Sequence, residues 1–572
     1  MKLRSFLARA AVTGLALGLA VSSGNAADHP ATAPSPQPES GFGGYLAALH
    51  AQEDHDYRGA TDFIDAALAA DPDNYNLMRH AFALRVSAGR VDQAASLARK
   101  IAAHDGAGGL AGLVLVEQAI KSGNYAQTLN QAASVPHEGA QRYAVPLLAA
   151  WADVGRGDRK RAQRELDTMG DTRGLGPLKA LHEALIADFA GQAAAASALY
   201  KKVLAAETPP TTRIAELAGN FYERAHDGIA ARTVYQSMVP IDDSNVGAAG
   251  LDRLAHGVIP RPLITTASEG AAEALFDLAS LLNQAETLDA ALIYARLALD
   301  LKPNFPLAQL LTGEIRAQQD QPEDALALYQ HVDPSSPYAW TARMRVALTL
   351  DMLSRTDEAI KLLETMAAEQ PARAAPLIEL GDILRSHSRF TDAIGAYDRA
   401  LARISKPAAE DWQVFYSRGV SFERSGQWPR AEADLEHALK LRPEQPLVLN
   451  YLGYTWIDKG EKVPEAVKMI QRAVAQRPND GYIVDSLGWA YFRLGEFTRA
   501  TETLEHAIEL VPEDPTINDH LGDAYWRSGR ETEARYQWER ALQFKPEADE
   551  AKTIQAKLDH GLSAEPAKVS GG

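Results

Sequence analysis

Residues 446–478 read PLVLNYLGYTWIDKGEKVPEAVKMIQRAVAQRP and residues 481–512 read GYIVDSLGWAYFRLGEFTRATETLEHAIELVP, and both carry the same punctuation. The pattern extends to either side. Gly419, Gly453, Gly488 and Gly522 are each followed seven residues later by Gly426, Gly460, Gly495 and Gly529. Alanines come next (Ala431, Ala466, Ala500, Ala534) and recur seven residues on (Ala438, Ala473, Ala507, Ala541), before Pro443, Pro478, Pro512 and Pro546. The period is 34 residues, with one extra residue in the second unit. Self-similarity at this length means stacked helical hairpins.

Each residue type has a mechanical reason. Glycine inside a helix costs about 1 kcal/mol relative to alanine, so Gly453 and its equivalents predict a place where a neighbouring helix backbone approaches closely. The second glycine predicts a left-handed helix end that opens the turn. Two alanines seven apart share one face of the second helix, where a small side chain lets the hairpin close. Proline ends that helix. These positions are structural and carry no chemistry.

Weaker copies run upstream: Ala359, Leu363 and Pro371; Ala393, Tyr397 and Ala400; Ala291, Ala298 and Pro303; and Tyr57, Ala60, Ala67 and Pro72. About fourteen hairpins fit between residues 41 and 548. The expected organisation is an N-terminal degenerate array over 41–240, an irregular joint over 241–271 and a C-terminal array over 272–548. A capping helix over 549–560 and a disordered tail over 561–572 follow. The joint is inferred from two prolines, four glycines and the lack of a helical period.

The N-terminus reads differently. Lys2, Arg4 and Arg9 precede an apolar run from Ala10 to Val21, and Gly24-Asn25-Ala26 supplies small residues for cleavage. This is the pattern of a secretory signal peptide over 1–26, and it implies an exported, periplasmic, soluble chain. The run is short for a membrane span, and no later stretch reaches that length, so no transmembrane segment is expected in the mature chain. Residues 27–40, rich in Pro, Ala and Ser, read as a flexible linker. The chain has no cysteine, so repeat packing alone must hold it in an oxidising compartment. Removing the three cations of the export segment takes the formal charge from −17 to −20, which opposes nucleic-acid binding.

The spaced residues resemble the tetratricopeptide repeat (TPR), strongly over 412–548 and more weakly towards the N-terminus. The resemblance implies an all-α, right-handed superhelix whose concave groove is lined by the first helix of each hairpin, and it implies protein partners. Transferring the usual groove positions selects Tyr416, Arg424, Asn450, Tyr454, Asp458, Tyr482, Asp485, Trp489, Phe492, Arg493, Asp519, Asp523, Trp526 and Arg527 as a protein-binding groove. Aromatic and arginine side chains together are what interfaces use as anchors. The alternative for the aromatics is packing between repeats; Trp428, Trp456 and Trp538 occupy core positions and are read as packing. One TPR subtype grips a ligand carboxylate with Lys and Asn at positions held here by Tyr416 and Val420, which argues against that clamp.

The stretches Asn450-Tyr451-Leu452-Gly453-Tyr454 and Tyr482-Ile483-Val484-Asp485-Ser486-Leu487-Gly488-Trp489 further resemble bacterial envelope TPR adaptors of carboxyl-terminal processing proteases. Those are typically lipoproteins, and this chain lacks the lipid-bearing cysteine. No catalytic pattern emerges. Thiol chemistry is impossible without cysteine, and His182-Glu183 has no second histidine at the spacing a zinc protease needs. No metal site or cofactor is expected. The sequence therefore points to a non-catalytic periplasmic adaptor that binds partner proteins or extended peptides and presents them to a processing protease. The alternative is a structural scaffold of an envelope assembly or polysaccharide-export complex.

Overall fold

The computed structural model describes residues 41–562, apart from 107, 171–175, 207–208 and 239–243. Among the described residues every regular element is a helix, and consecutive helices pack as hairpins. Six hairpins precede a lone helix, Val246–His256; eight follow it, and the helix Ala548–His560 closes the series. The expected export segment, the linker and the last ten residues lie outside the described residues.

The neighbouring helix backbone comes close to the repeated glycines, as the sequence implies: a Cβ on Gly453 would fall 3.0 Å from the Ala466 carbonyl oxygen and one on Gly419 3.3 Å from that of Ala431, and a large side chain comes closer still. A Cβ on Gly522 would fall 2.5 Å from the Trp538 ring, and one on Gly488 2.5 Å from Leu504 Cγ. At Gly419 and Gly453 it would meet Leu435 at 3.1 Å and Ile470 at 2.8 Å. The glycine is therefore a socket for a large side chain of the second helix. Upstream, Gly219, Gly313 and Gly381 form the same sockets for Tyr235, Tyr329 and Tyr397. The second glycines behave as the sequence implies: Gly426, Gly460, Gly495 and Gly529 all have φ between +71° and +80°. Upstream turns place His226, Glu286, Asp320, Ser354 and Ser388 in the same left-handed region. All eight alanines of the four C-terminal repeats are fully buried.

The described residues fall into two compact units, one ending at Leu362 and one beginning at Leu363. Residues 241–271 lie within the first. Much of that stretch is helical, because Gly250 is not a breaker: the Tyr235 ring sits against it, 2.4 Å from where a Cβ would be, and against Gly219 on its other side. Among the described residues of that stretch, 244–245 and 257–266 are irregular, the latter running between two helices.

The first unit folds back on itself. Helices Ala267–Gln284 and Leu288–Leu301 pack across the first helices of earlier hairpins: Tyr75–Ser87, Gly109–Lys121, Gln141–Gly155 and Gly176–Phe189. The helix ASEGAAEALFDLASLLNQ is small or apolar on nearly every side, as a helix enclosed by protein must be. Its Gly270 lies against the buried Trp151, where a Cβ would come within 2.3 Å of the indole. Polar contacts fix the register: Lys121 Nζ donates to Asp300 at 2.8 Å and Tyr57 Oη to Asp289 at 2.8 Å. Arg316 Nη2 reaches the carbonyl of His55, 261 residues away in the chain, at 2.9 Å.

Two glycine substitutions separate these roles. Gly270→Val forces a branched side chain into the Trp151 ring and should destabilise at the upper end of about 1–3 kcal/mol or beyond. Gly529→Ala meets no atom within 4 Å and should cost only the left-handed strain, about 1–2 kcal/mol. Denaturant unfolding followed by circular dichroism measures both; a Gly270→Val chain as stable as wild type would remove the socket argument.

Candidate binding groove of the second unit

In the second unit each hairpin presents its first helix in order: Ala375–Ser386, Trp412–Arg424, Pro446–Lys459, Gly481–Arg493 and Pro515–Arg527. The sockets turn one face of each of these helices towards its own partner helix, which leaves the face carrying the candidate groove residues on the other side. Neighbouring first helices also touch along this series.

A ladder of charge pairs crosses it. Arg493 donates to the Asp458 carboxylate at 3.1 Å and to the Asp458 carbonyl at 3.2 Å. His520 Nδ1 lies 2.9 Å from Asp485 Oδ1. Lys557, from the closing helix, donates to Asp519 at 2.7 Å and to Asp523 at 2.9 Å. Each rung joins a carboxylate of one hairpin to a cation of the next. The Asp458 end is exposed, while the Asp485 and Asp523 ends are buried.

Aromatic rings fill the spaces between rungs. Trp489 is sandwiched between Phe492 at 4.9 Å and His520 at 4.1 Å, with interplanar angles of 14° and 15°. Tyr416 meets Tyr451 edge to face at 5.8 Å, and Tyr451 Oη donates to Glu423 at 3.0 Å. Asn450 Oδ1 and Trp489 Nε1 are buried without a hydrogen-bond partner among the described residues.

The fourteen candidate residues divide by exposure. Tyr416, Asp485, Phe492, Asp519 and Asp523 are buried; Asn450, Tyr454, Trp489, Arg493, Trp526 and Arg527 are half-buried; Arg424, Asp458 and Tyr482 are exposed. The last hairpin uses its candidates internally. Asp523 also accepts from Trp538 Nε1 at 3.0 Å, and Trp526 packs on Trp538 at 5.4 Å and against Gly561. The closing helix takes the place a further hairpin would have, so its Lys557 covers that end of the face. Sequence reasoning passed over His520, Lys557 and Tyr451. His520 follows Asp519 directly and Lys557 lies one repeat period beyond Asp523, so the period itself could have paired them.

Residues 347–409, 416–481 and 486–550 match the tetratricopeptide repeat family model. The chain carries tetratricopeptide repeats, an all-α repeat fold that mediates protein–protein interactions and is generally a non-catalytic scaffold. It is 29% identical over 193 residues to the TPR repeat-containing protein PA4667 of Pseudomonas aeruginosa, covering 34% of this chain and 32% of that protein. It is 28% identical over 157 residues to cellulose synthase operon protein C of Pseudomonas fluorescens, covering 26% of this chain and 12% of that one. The chain thus spans about a third or less of the length of these curated relatives. Among solved structures, the crystal structure of the APC/C hetero-tetramer Cut9–Hcn1 aligns with a TM-score of 0.38 at 15% identity, covering 91% of this chain and 96% of that one. YrrB, a TPR protein with an unusual peptide-binding site, aligns with a TM-score of 0.27 at 22% identity, covering 34% and 97%. No described helix is long and apolar enough to cross a membrane.

The His520 rung sets a pH dependence. Burial opposes charge on the ring, but the Asp485 carboxylate outweighs it and holds the His520 pKa above its ordinary value. The folded state then binds the proton more tightly than the unfolded chain, whose histidine titrates near 6.5. This contribution is full below about pH 6.5 and is lost as pH rises through the folded pKa. Asp523, pushed up to about 6 by burial and then by Asp519, loses its own contribution as pH rises through that value. We expect amide exchange in helix Pro515–Arg527 to quicken in excess of the intrinsic base-catalysed rate as pH rises above about 6.5. His520→Gln should flatten that excess; an unchanged profile would mean that His520 is neutral throughout.

Proposed function

We propose that the second unit holds an extended segment of a partner protein along the exposed part of its charge ladder, between Arg424 and Tyr482, and that the chain works as a periplasmic adaptor presenting such proteins to a processing protease. The observation that carries this is a contrast within the molecule. The first unit fills the inner face of its own repeats with helices 267–301. Within the second unit, helices pack on their near neighbours in the chain, and the ladder face keeps exposed Tyr482, Arg424 and Asp458 beside half-buried Tyr454 and Arg493. The unpartnered Asn450 Oδ1 and Trp489 Nε1 support it further. An unsatisfied buried polar atom costs about 1–3 kcal/mol, and a peptide main chain supplies both donors and acceptors.

The periplasmic and protease elements rest on the export-type N-terminus and on the resemblance of 450–454 and 482–489 to adaptors of carboxyl-terminal processing proteases. A second reading, a scaffold of a polysaccharide-export or other envelope assembly, is favoured by the similarity to cellulose synthase operon protein C over 26% of the chain. Affinity capture from the periplasm separates them: an adaptor recovers a protease with short-lived substrates, a scaffold a stable stoichiometric assembly.

The groove itself is tested by Tyr482→Ala combined with Arg493→Ala. Loss of the Tyr482 contact, together with the Arg493 charge that selects among partners, should weaken partner capture by about tenfold or more, while the melting temperature moves by only a few degrees, about what surface changes cause. Capture that survives the double substitution places the partner elsewhere.

A further inference from the structure

Between the lone helix and Ala267–Gln284, residues 257–266 (GVIPRPLITT) run as an extended strap over the first unit. Pro260 and Pro262 keep it out of helix. Its path crosses helices Gly176–Phe189 and Thr212–Arg224, and its main chain is gripped by side chains. Asn220 Nδ2 donates to the Arg261 carbonyl at 2.9 Å, and Lys302 Nζ to the Leu263 carbonyl at 3.2 Å. The Asn220 amide is itself aimed: its Oδ1 accepts from Arg224 Nε at 2.8 Å, and Arg224 is clamped on Asp188 at 2.5 Å and 3.1 Å. Neither strap bond depends on a strap side chain. Ile264 is the single buried side chain between Gly257 and Thr266, while Val258 and Ile259 are 53% and 57% exposed.

Beneath Pro262–Thr265 lies a cavity of about 260 Å³. Leu185, Phe189 and Leu217 form its apolar wall, and Tyr200 closes it beside the Asp188–Arg224 pair. The strap side chains leave this space unfilled. A wall that reads the main chain of a proline-containing strand, next to a hole with one apolar side that the strand leaves unfilled, can accept more than the strap.

We propose that this face is a second segment-binding site, occupied here by the chain's own residues 258–265. Its external ligand is an extended, proline-punctuated segment of a partner protein with a large apolar side chain two residues after the second proline, where the strap has Ile264. The main-chain bonds to Asn220 and Lys302 would transfer to that segment, and an aromatic ring at the Ile264 position would fill the cavity. A strap tethered at both ends acts at an effective concentration of about millimolar, so an outside segment prevails only by binding better than the strap does. This site is independent of the groove proposed for the second unit.

The test uses the full chain with its strap loosened by Pro262→Gly and Ile264→Ser, and a fluorescein-labelled peptide of residues 257–266 as probe. The loosened chain should bind the peptide saturably, and wild type about tenfold or more weakly, because its own strap competes. A peptide carrying Ile264→Phe should bind several-fold tighter than the natural one, and Asn220→Ala in the loosened chain should weaken both. Absence of binding to a loosened chain of wild-type helicity, or weaker binding of the Ile264→Phe peptide, overturns the proposal. Dimerisation of the loosened chain through exchanged straps would assign the face to a second copy and overturn it as well. Should the loosened chain lose helicity, the wild-type chain decides. A peptide with a photoreactive phenylalanine analogue at the Ile264 position should cross-link to helices 176–189 and 212–224, and cross-links elsewhere or none overturn the site.

Discussion

Each socketed hairpin depends on a side chain that is absent. At Gly219, Gly313, Gly381, Gly419, Gly453, Gly488 and Gly522 a Cβ would fall 2.3–3.1 Å from the large residue sixteen or seventeen positions later. That residue (Tyr235, Tyr329, Tyr397, Leu435, Ile470, Leu504 or Trp538) fills the space and sets how closely the two helices approach. Interiors packed at crystal density do not tolerate a gap or an overlap there. The contact also fixes rotation: with one face of the first helix turned to its own partner, the opposite face is free for another role. In the first unit that role is internal packing; in the second it is a charged and aromatic surface.

The two outcomes follow from side-chain chemistry on that opposite face. In the first unit it offers Trp151 and Gly155, and the returning helix answers with Ala267 and Gly270, small enough to come into contact. Burial of apolar surface then drives closure. In the second unit the position of Gly155 is held by Asp458 and Arg493 and that of Trp151 by Tyr454, Trp489 and Asp523, and burying those charges under an apolar helix would strand them at a cost far above any gain. They pair instead with the next hairpin, which stitches the stack together while leaving its rim in water.

The C-terminal repeats were legible because glycine, alanine and proline stand where the geometry needs them. Upstream the same fold hides behind substitutions that keep the backbone and change the letters: Asp320, Ser354 and Ser388 occupy left-handed turns where the clear repeats have glycine. The Gly-to-Tyr spacing of sixteen at Gly219, Gly313 and Gly381 was present in the sequence and would have extended the pattern. The self-filling of the first unit was not legible. Ala291, Ala298 and Pro303 read as an ordinary hairpin, and periodicity reports neighbours in the stack, not a return across it. Groove positions could be assigned from the period. Their availability could not, because it depends on Lys557 reaching Asp519 and Asp523, and on Trp526 turning towards Trp538 and Gly561.

The ladder also constrains how a partner can be recognised. Asp458 and Asp485 already have cations from the next hairpin, and Asp519 and Asp523 have Lys557 of the closing helix, so a charged ligand group must replace an existing rung. At the exposed Asp458–Arg493 rung such an exchange trades one ion pair for another and changes the free energy little, as exposed pairs are worth about 0–1 kcal/mol, whereas opening the buried Asp485, Asp519 and Asp523 rungs would strand a buried charge. Charge on this face therefore discriminates among partners and guides their approach more than it holds them. Affinity has to come from contacts that no rung already satisfies: the exposed face of Tyr482, the partly covered Tyr454 ring, and main-chain groups that can meet Asn450 and Trp489. A segment that fits is consequently one whose backbone is extended and accessible, with its charges arranged to leave the rungs intact.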